Sequence, residues 1–204
     1  MLFDDNYKTL KFTSEGIFRD KGSKFIGYAY PIQNEIEVKE ILTHLRSEHS
    51  KARHFCWALR LTPDRSVFRV NDDGEPSGTA GRPILNTILS ADITNVLLVV
   101  VRYFGGTLLG VPGLINAYKN ASAAALNSNE IITKTVNDVY ELTFDYLLMN
   151  DVMKVLKEEH LIVLKQEFDS SCSIKFEVRK ANLGIVLSKL DKIIGVKVRY
   201  LCTN

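Results

Sequence analysis

Residues 95–113, NVLLVVVRYFGGTLLGVPG, decide how the chain folds. Val96 to Val101 is a continuous apolar run, β-branched at its centre, as a strand buried on both faces requires. It runs through Arg102, Tyr103 and Phe104 into Gly105-Gly106, and then into Gly110, Pro112 and Gly113. A helix is expected from about Pro112 to Leu126, with the small residues Ala117, Ala121, Ala124 and Ala125 allowing close packing. A buried strand, a glycine-rich turn and a helix start together make a physical anion site. Glycines let a backbone approach a ligand, and free N–H groups at a helix N-terminus favour negative charge. Arg102 and Lys119 could neutralise a phosphate or carboxylate there. Equally, the glycines could serve tight turns and helix–strand packing. The spacing matches neither G-x-G-x-x-G nor the phosphate-loop pattern, so it names no nucleotide.

Working outward, the preceding stretch 71–83, NDDGEPSGTAGRP, gathers three carboxylates, three glycines and two prolines. It reads either as an acidic solvated turn before a capped helix, the commoner use of such residues, or as a rigid loop presenting Asp73, Glu75, Thr79, Gly81 and Arg82. The D-x-D-x-D-G spacing of a calcium loop is absent. Ile84, Leu85, Ile88 and Leu89 continue at helical spacing. Strands are expected at His54–Leu61 and 66–70. Earlier still, Tyr7–Phe18 and 24–32 read as a β-hairpin turned by residues 20–23. A helix then opens at Asn34, with Glu37 completing a capping box.

Beyond Asn127-Ser128-Asn129 the pattern changes. Strands at 136–144, 161–168, 173–178 and 196–201 alternate with helices at 147–160 and 183–194, with a turn at Asp169-Ser170-Ser171. That order, β-α-β-β-α-β, is the ferredoxin-like split motif. The reading is an α+β protein of two domains, 1–130 and 136–204, with the boundary near 129–135.

Composition excludes more than it selects. The 204 residues carry a net charge of +2, with 16 basic against 14 acidic residues up to position 135 and 10 against 10 beyond it. Neither part is a basic nucleic-acid module by composition. Cys56, Cys172 and Cys202 are scattered, with no C-x-x-C pair, which fits a reducing compartment and a cytoplasmic setting. No signal peptide is expected, and no apolar run could span a bilayer, so no membrane partner is expected. His54 and Cys56 share one strand face, but nothing in the sequence supplies an orienting partner for a nucleophile pair. His44, His49 and His160 do not share a helix face at i,i+4. No catalytic residue, metal or cofactor is expected from these patterns.

Two long motifs carry a resemblance. Glu75 to Leu85 (EPSGTAGRPIL) and Val99 to Gly110 (VVVRYFGGTLLG), with Lys21 to Ile26 and Ala52-Arg53-His54 upstream, resemble the YigZ/IMPACT family over nearly the whole chain. The resemblance implies a first domain with the fold of a ribosomal-protein second domain, seen also in translation factors and GHKL-type ATPases. It implies a second domain similar to the last domain of elongation factor G. Both folds are associated with translation, although a fold is not a function. Eukaryotic members regulate the kinase arm of the amino-acid starvation response, a role tied to an additional RWD domain that is not expected here. The family motifs imply no catalytic activity. Their positions here are Lys24, Arg53, His54, Asp73, Glu75, Thr79, Gly81, Arg82, Arg102, Gly105, Gly106, Gly110 and Gly113. The expected activity is non-enzymatic regulation linked to translation, through RNA, the ribosome or a translation-related protein bound by the first domain. The alternative is a small-molecule binding protein or enzyme, with a site for a phosphate or carboxylate between the two glycine-rich loops.

Overall fold

The computed structural model describes residues 5–168 and 172–203, so the expected turn at 169–171 lies outside the described residues. The chain divides into two compact units, Tyr7–Lys134 and residues 135–203 joined by Asp5 and Asn6.

The first unit is built on β6 (Val96–Tyr103), whose first seven residues are all buried. It lies at the centre of a five-stranded antiparallel sheet ordered β2-β3-β6-β4-β5, formed with β2 (Ser14–Asp20), β3 (Ser23–Pro31), β4 (His54–Leu61) and β5 (Val67–Asn71). One core, including Leu97, Val99 and Val101, takes Val38 and Leu45 from α1 (Ile36–Glu48). The other core, including Val96, Leu98 and Val100, takes α2 (Gly81–Ser90) and α3 (Gly110–Asn127). Alternate side chains of one strand therefore feed two cores, which is why β6 shows no polar alternation.

Local chemistry sets the ends of these elements. The Asn34 side chain accepts from the Glu37 N–H at 3.4 Å, and Glu37 accepts from the Asn34 N–H at 3.1 Å, the two halves of a capping box. α3 packs unusually close. A Cβ on Gly27 would lie 2.3 Å from the Ala121 carbonyl oxygen, so the strand can approach the helix only where that side chain is missing.

The N-terminal hairpin is a correction. Residues 7–18 form two strands. β1 (Asn6–Leu10) leaves the large sheet and pairs with β7 (Ile131–Thr135), a strand absent from the sequence reading, whereas β2 makes the hairpin with β3. Tyr7 and Leu10 are buried, and Leu10 joins the core that the main sheet shares with α2 and α3.

The second unit runs β8 (Asn137–Phe144), α4 (Met149–Glu158), β9 (Ile162–Phe168), β10 (Cys172–Arg179), α5 (Leu183–Leu190) and β11 (Lys197–Thr203). Its sheet order is β11-β8-β10-β9, with antiparallel neighbours. β10 alternates buried and part-exposed residues, and Ile174, Phe176 and Val178 join Val152, Leu156, Val186 and Leu190 of the helices in one core.

Candidate functional site

The 71–81 loop is held by its own carboxylates. Asp72 Oδ1 accepts from the Ala80 and Gly81 N–H groups at 3.0 and 2.8 Å, and Oδ2 accepts from the Gly78 N–H at 2.9 Å. It thereby caps α2 from nine residues upstream, placing negative charge at the helix N-terminus. Asp73, at φ 39°, receives a two-pronged bond from Arg46 at 2.9 and 3.0 Å and accepts the Phe55 N–H at 2.7 Å. Its carbonyl oxygen lies 2.9 Å from His54 Nδ1. An Nδ1–H donated there leaves Nε2 as the ring's remaining polar atom. The Thr79 hydroxyl donates back to the Pro76 carbonyl at 2.6 Å.

This rigid loop delivers Glu75 into the protein beside β6. Glu75 and Arg102 are both buried and form an ion pair at 2.5 Å. The Tyr118 hydroxyl of α3 donates to the same Glu75 oxygen at 2.7 Å. The Arg102 guanidinium lies between the rings of Phe25 and Phe104, 5.3 and 5.5 Å from their centroids. Its Nε is buried without a hydrogen-bond partner. Cys56 Sγ lies 3.3 Å from the Tyr118 oxygen and 3.0 Å from the Asp72 carbonyl. Burial pushes the Cys56 thiol well above its ordinary range, and burial does the same to the Tyr118 phenol. At neutral pH both therefore stay protonated, and Cys56 is no thiolate nucleophile.

Opposite, residues 104–110 leave β6 across the turn of β2–β3. The Gly105 N–H donates to Ser23 Oγ at 3.1 Å, and a Cβ on Gly105 would lie 2.0 Å from the Gly22 carbonyl carbon. No other residue fits that crossing. The two loops then bound a cavity of about 610 Å³. Residues 74–76 form one side and residues 104 and 108–111 the other, with Arg53, His54, Arg102 and Leu114 between them. Its walls are mostly apolar, and Phe104, Leu108 and Val111 are exposed at its edge. The volume is that of a small-molecule or side-chain pocket.

The sequence-predicted residues thus separate into groups. Arg53, His54, Glu75, Arg102 and Gly110 meet at the cavity. Gly106 and Gly110 take positive φ, 86° and 71°, in its loop. Asp73, Thr79 and Gly81 brace the loop behind it. Gly113 packs on Leu109 inside α3. Lys24 faces Tyr103 across the β3–β6 register and does not line the cavity. Arg82 is exposed on the first turn of α2, and Lys119 lines a separate groove between α2 and α3. The expected pairing of Arg102 with Lys119 around one anion is corrected: Glu75 already compensates Arg102, and Lys119 lines another concavity. Asp72 and Tyr118 were not singled out by the sequence reading. Tyr118 is one apolar-face residue among many, and the sole signal for Asp72 is an Asp ahead of a helix start. Among the described residues no His, Cys, Asp and Glu group is arranged to hold a metal ion, and no helix is long and apolar enough to cross a membrane.

Fold and cavity together define an α+β protein of two units whose glycine-rich loops close on one pocket. Residues 21–126 match the Impact N-terminal domain. An IMPACT family member of Haemophilus influenzae is 31% identical over 84% of this chain and 84% of its own length. The IMPACT family member YigZ of Escherichia coli is 29% identical over 83% of this chain and 84% of its own length. A solved crystal structure, described as that of a hypothetical protein, superposes with a TM-score of 0.74 at 25% identity, covering 97% of this chain and 98% of the other. The chain belongs to the IMPACT family.

Proposed function

We propose that the protein is a cytoplasmic regulatory binding protein linked to translation, and that its first unit recognises a ribosomal or other translation-related partner through the cavity between residues 74–76 and 104–111. One observation carries the recognition role. The carboxylate at the cavity is already engaged: the Glu75 oxygen holds both Arg102 and Tyr118. What remains to a visitor is a cation at Arg53, a ring nitrogen at His54, and exposed Phe104, Leu108 and Val111. Apolar anchors beside a few polar groups are the composition of a binding surface. The link to translation is supported by the family resemblance. The buried ion pair weighs against the purely phosphate-binding version, since Arg102 is not available to RNA.

Co-sedimentation with ribosomes and with total RNA across a salt series tests this. The comparison variant is Arg53→Glu/Leu108→Asp, which alters exposed residues and leaves the buried pair intact. The expected result is pelleting with ribosomes that the variant loses. Equal pelleting of variant and wild type would remove the cavity from the proposal.

A second reading, a small carboxylate or phosphate held in the same cavity, is favoured by the enclosure of one pocket by both loops, which that reading requires. If the wild type pellets with neither ribosomes nor RNA, the ribosome and RNA versions of the translation-side reading fail. A metabolite thermal-shift series then decides for the small molecule, since a ligand raises Tm by binding the folded state.

A further inference from the structure

A second concave surface, lined by other residues, lies between α2 and α3. It encloses about 380 Å³ and is lined by Pro83, Asn86, Ser90, Ile115, Lys119 and Ala123, among others. Two apolar side chains of α3 that an amphipathic helix would ordinarily bury stand out: Ile115, in the groove's wall, is 40% exposed, and Val111, one turn before it, 51%. Val111, Ile115 and Lys119 recur every four residues and form one stripe along α3. From Val111 to Ala123 that stripe runs about 18 Å along the axis, at the rise of an α-helix. The stripe is continuous with the first cavity, since Val111 lines that cavity and Ile115 this groove.

Charge selects the occupant. Neither α2, GRPILNTILS, nor α3, GVPGLINAYKNASAAALN, contains an Asp or a Glu. Their charged residues are Arg82 and Lys119, both exposed, and no ion pair among the described residues engages either one. A second copy of this chain would set the same two cations against themselves across a two-fold interface, which repels. A nucleic acid would gain at most two phosphate contacts and would leave the apolar stripe without a partner. A helix with apolar residues at i, i+3, i+4 and i+7, flanked by carboxylates, satisfies the stripe and the Lys119 cation of the groove at once.

We propose that the α2–α3 groove docks an acidic amphipathic helix, of about three turns, from a protein partner. The inference does not rest on the cavity function, because the test acts on residues that do not line the first cavity.

A photo-crosslinking benzophenone amino acid placed at Ile115 of the full chain, in its own host, tests the proposal. Crosslinked peptides are identified by mass spectrometry after denaturing purification. The expected products are partner peptides rich in Asp and Glu with apolar residues at helical spacing. The Lys119→Glu variant should lower the crosslink yield at least fivefold with Tm and circular dichroism unchanged. A synthetic peptide of the captured sequence should bind Lys119→Glu at least fivefold more weakly than wild type. Crosslinks to RNA, to a second copy or to neutral or basic peptides, no crosslink at all, or a yield indifferent to Lys119→Glu would each overturn the proposal.

Discussion

The two sheets of this protein solve burial in opposite ways, and the difference shows in where each unit keeps its charges. In the first unit, helices on both faces turn β6, VLLVVVRY, into a continuous apolar run. In the second, helices join one face, and β10, CSIKFEVR, alternates. The outer face of the second sheet is charged and largely self-compensated: Glu141 meets Arg199 at 2.6 Å and Lys175 at 3.8 Å, and Lys165 meets Glu167 at 2.5 Å. Such exposed pairs are weak and screened by salt. The first unit instead places one charged pair, Glu75–Arg102, beneath an apolar-walled cavity. A buried pair tolerates loss of one member poorly, because the survivor is left charged and dry. The comparison therefore assigns structure to Glu75–Arg102 and solubility to the outer ladder of the second sheet, and leaves the exposed edge of the cavity as the surface to which the proposed function gives recognition.

The sharpest way to break that comparison is to remove one member of each pair. Arg102→Met should destabilise the protein by about 3–5 kcal/mol in denaturant unfolding. Adding Glu75→Leu should recover most of the loss, since no isolated carboxylate then remains. If the double variant is as unstable as the single one, the pair is more than a neutralised core contact. Next in size is Gly27→Ala, where the added methyl meets the Ala121 carbonyl. A loss of about 1–3 kcal/mol is expected from overpacking, and an unchanged midpoint would show that α3 can retreat from β3.

High pH acts on the α1 side of the first sheet. Burial, with Glu15 and Glu48 nearby, pushes the Tyr28 phenol up to about 12, and burial does the same for Tyr30, also to about 12. Both raised values mean that the folded state holds its phenolic protons longer than the unfolded chain does. Their contribution is complete below about pH 10, the value of an exposed tyrosine, and is lost as pH rises toward 12. An alkaline titration of Tm should show that decline, and Tyr28→Phe/Tyr30→Phe should make it shallower without abolishing it, because burial pushes the Tyr118 phenol and the Cys56 thiol up as well. The smallest effect is expected on the outer sheet. Arg199, with a side chain 71% exposed, should cost less than about 1 kcal/mol on replacement by Ala. A loss matching Arg102→Met would erase the distinction between the two sheets.

Much of this architecture was legible in the sequence because it is local. The apolar run of β6, the Asn34–Glu37 box and the alternation of β10 each depend on neighbours within a few positions. β1 and β7 were not legible as a pair, because 120 or so residues separate them and nothing between Leu10 and Ser14 marks a turn strongly. The loops at 71–83 and 104–113 stood out by their glycines and carboxylates. Which side chains meet there did not. Glu75 and Arg102 are 27 positions apart and Glu75 and Tyr118 are 43 apart, and the sheet and α3, not the motifs, bring them together. For the same reason Arg102 read as an available cation, and the structure places it in an internal pair.

Hydrogen–deuterium exchange of the full chain, free and bound to ribosomes, tests the central claim most directly. The amides of Gly74 and Glu75 and those of residues 104–111 should slow together on binding, because both loops wall one cavity. Protection confined to one loop, or protection elsewhere with both loops unchanged, would contradict it.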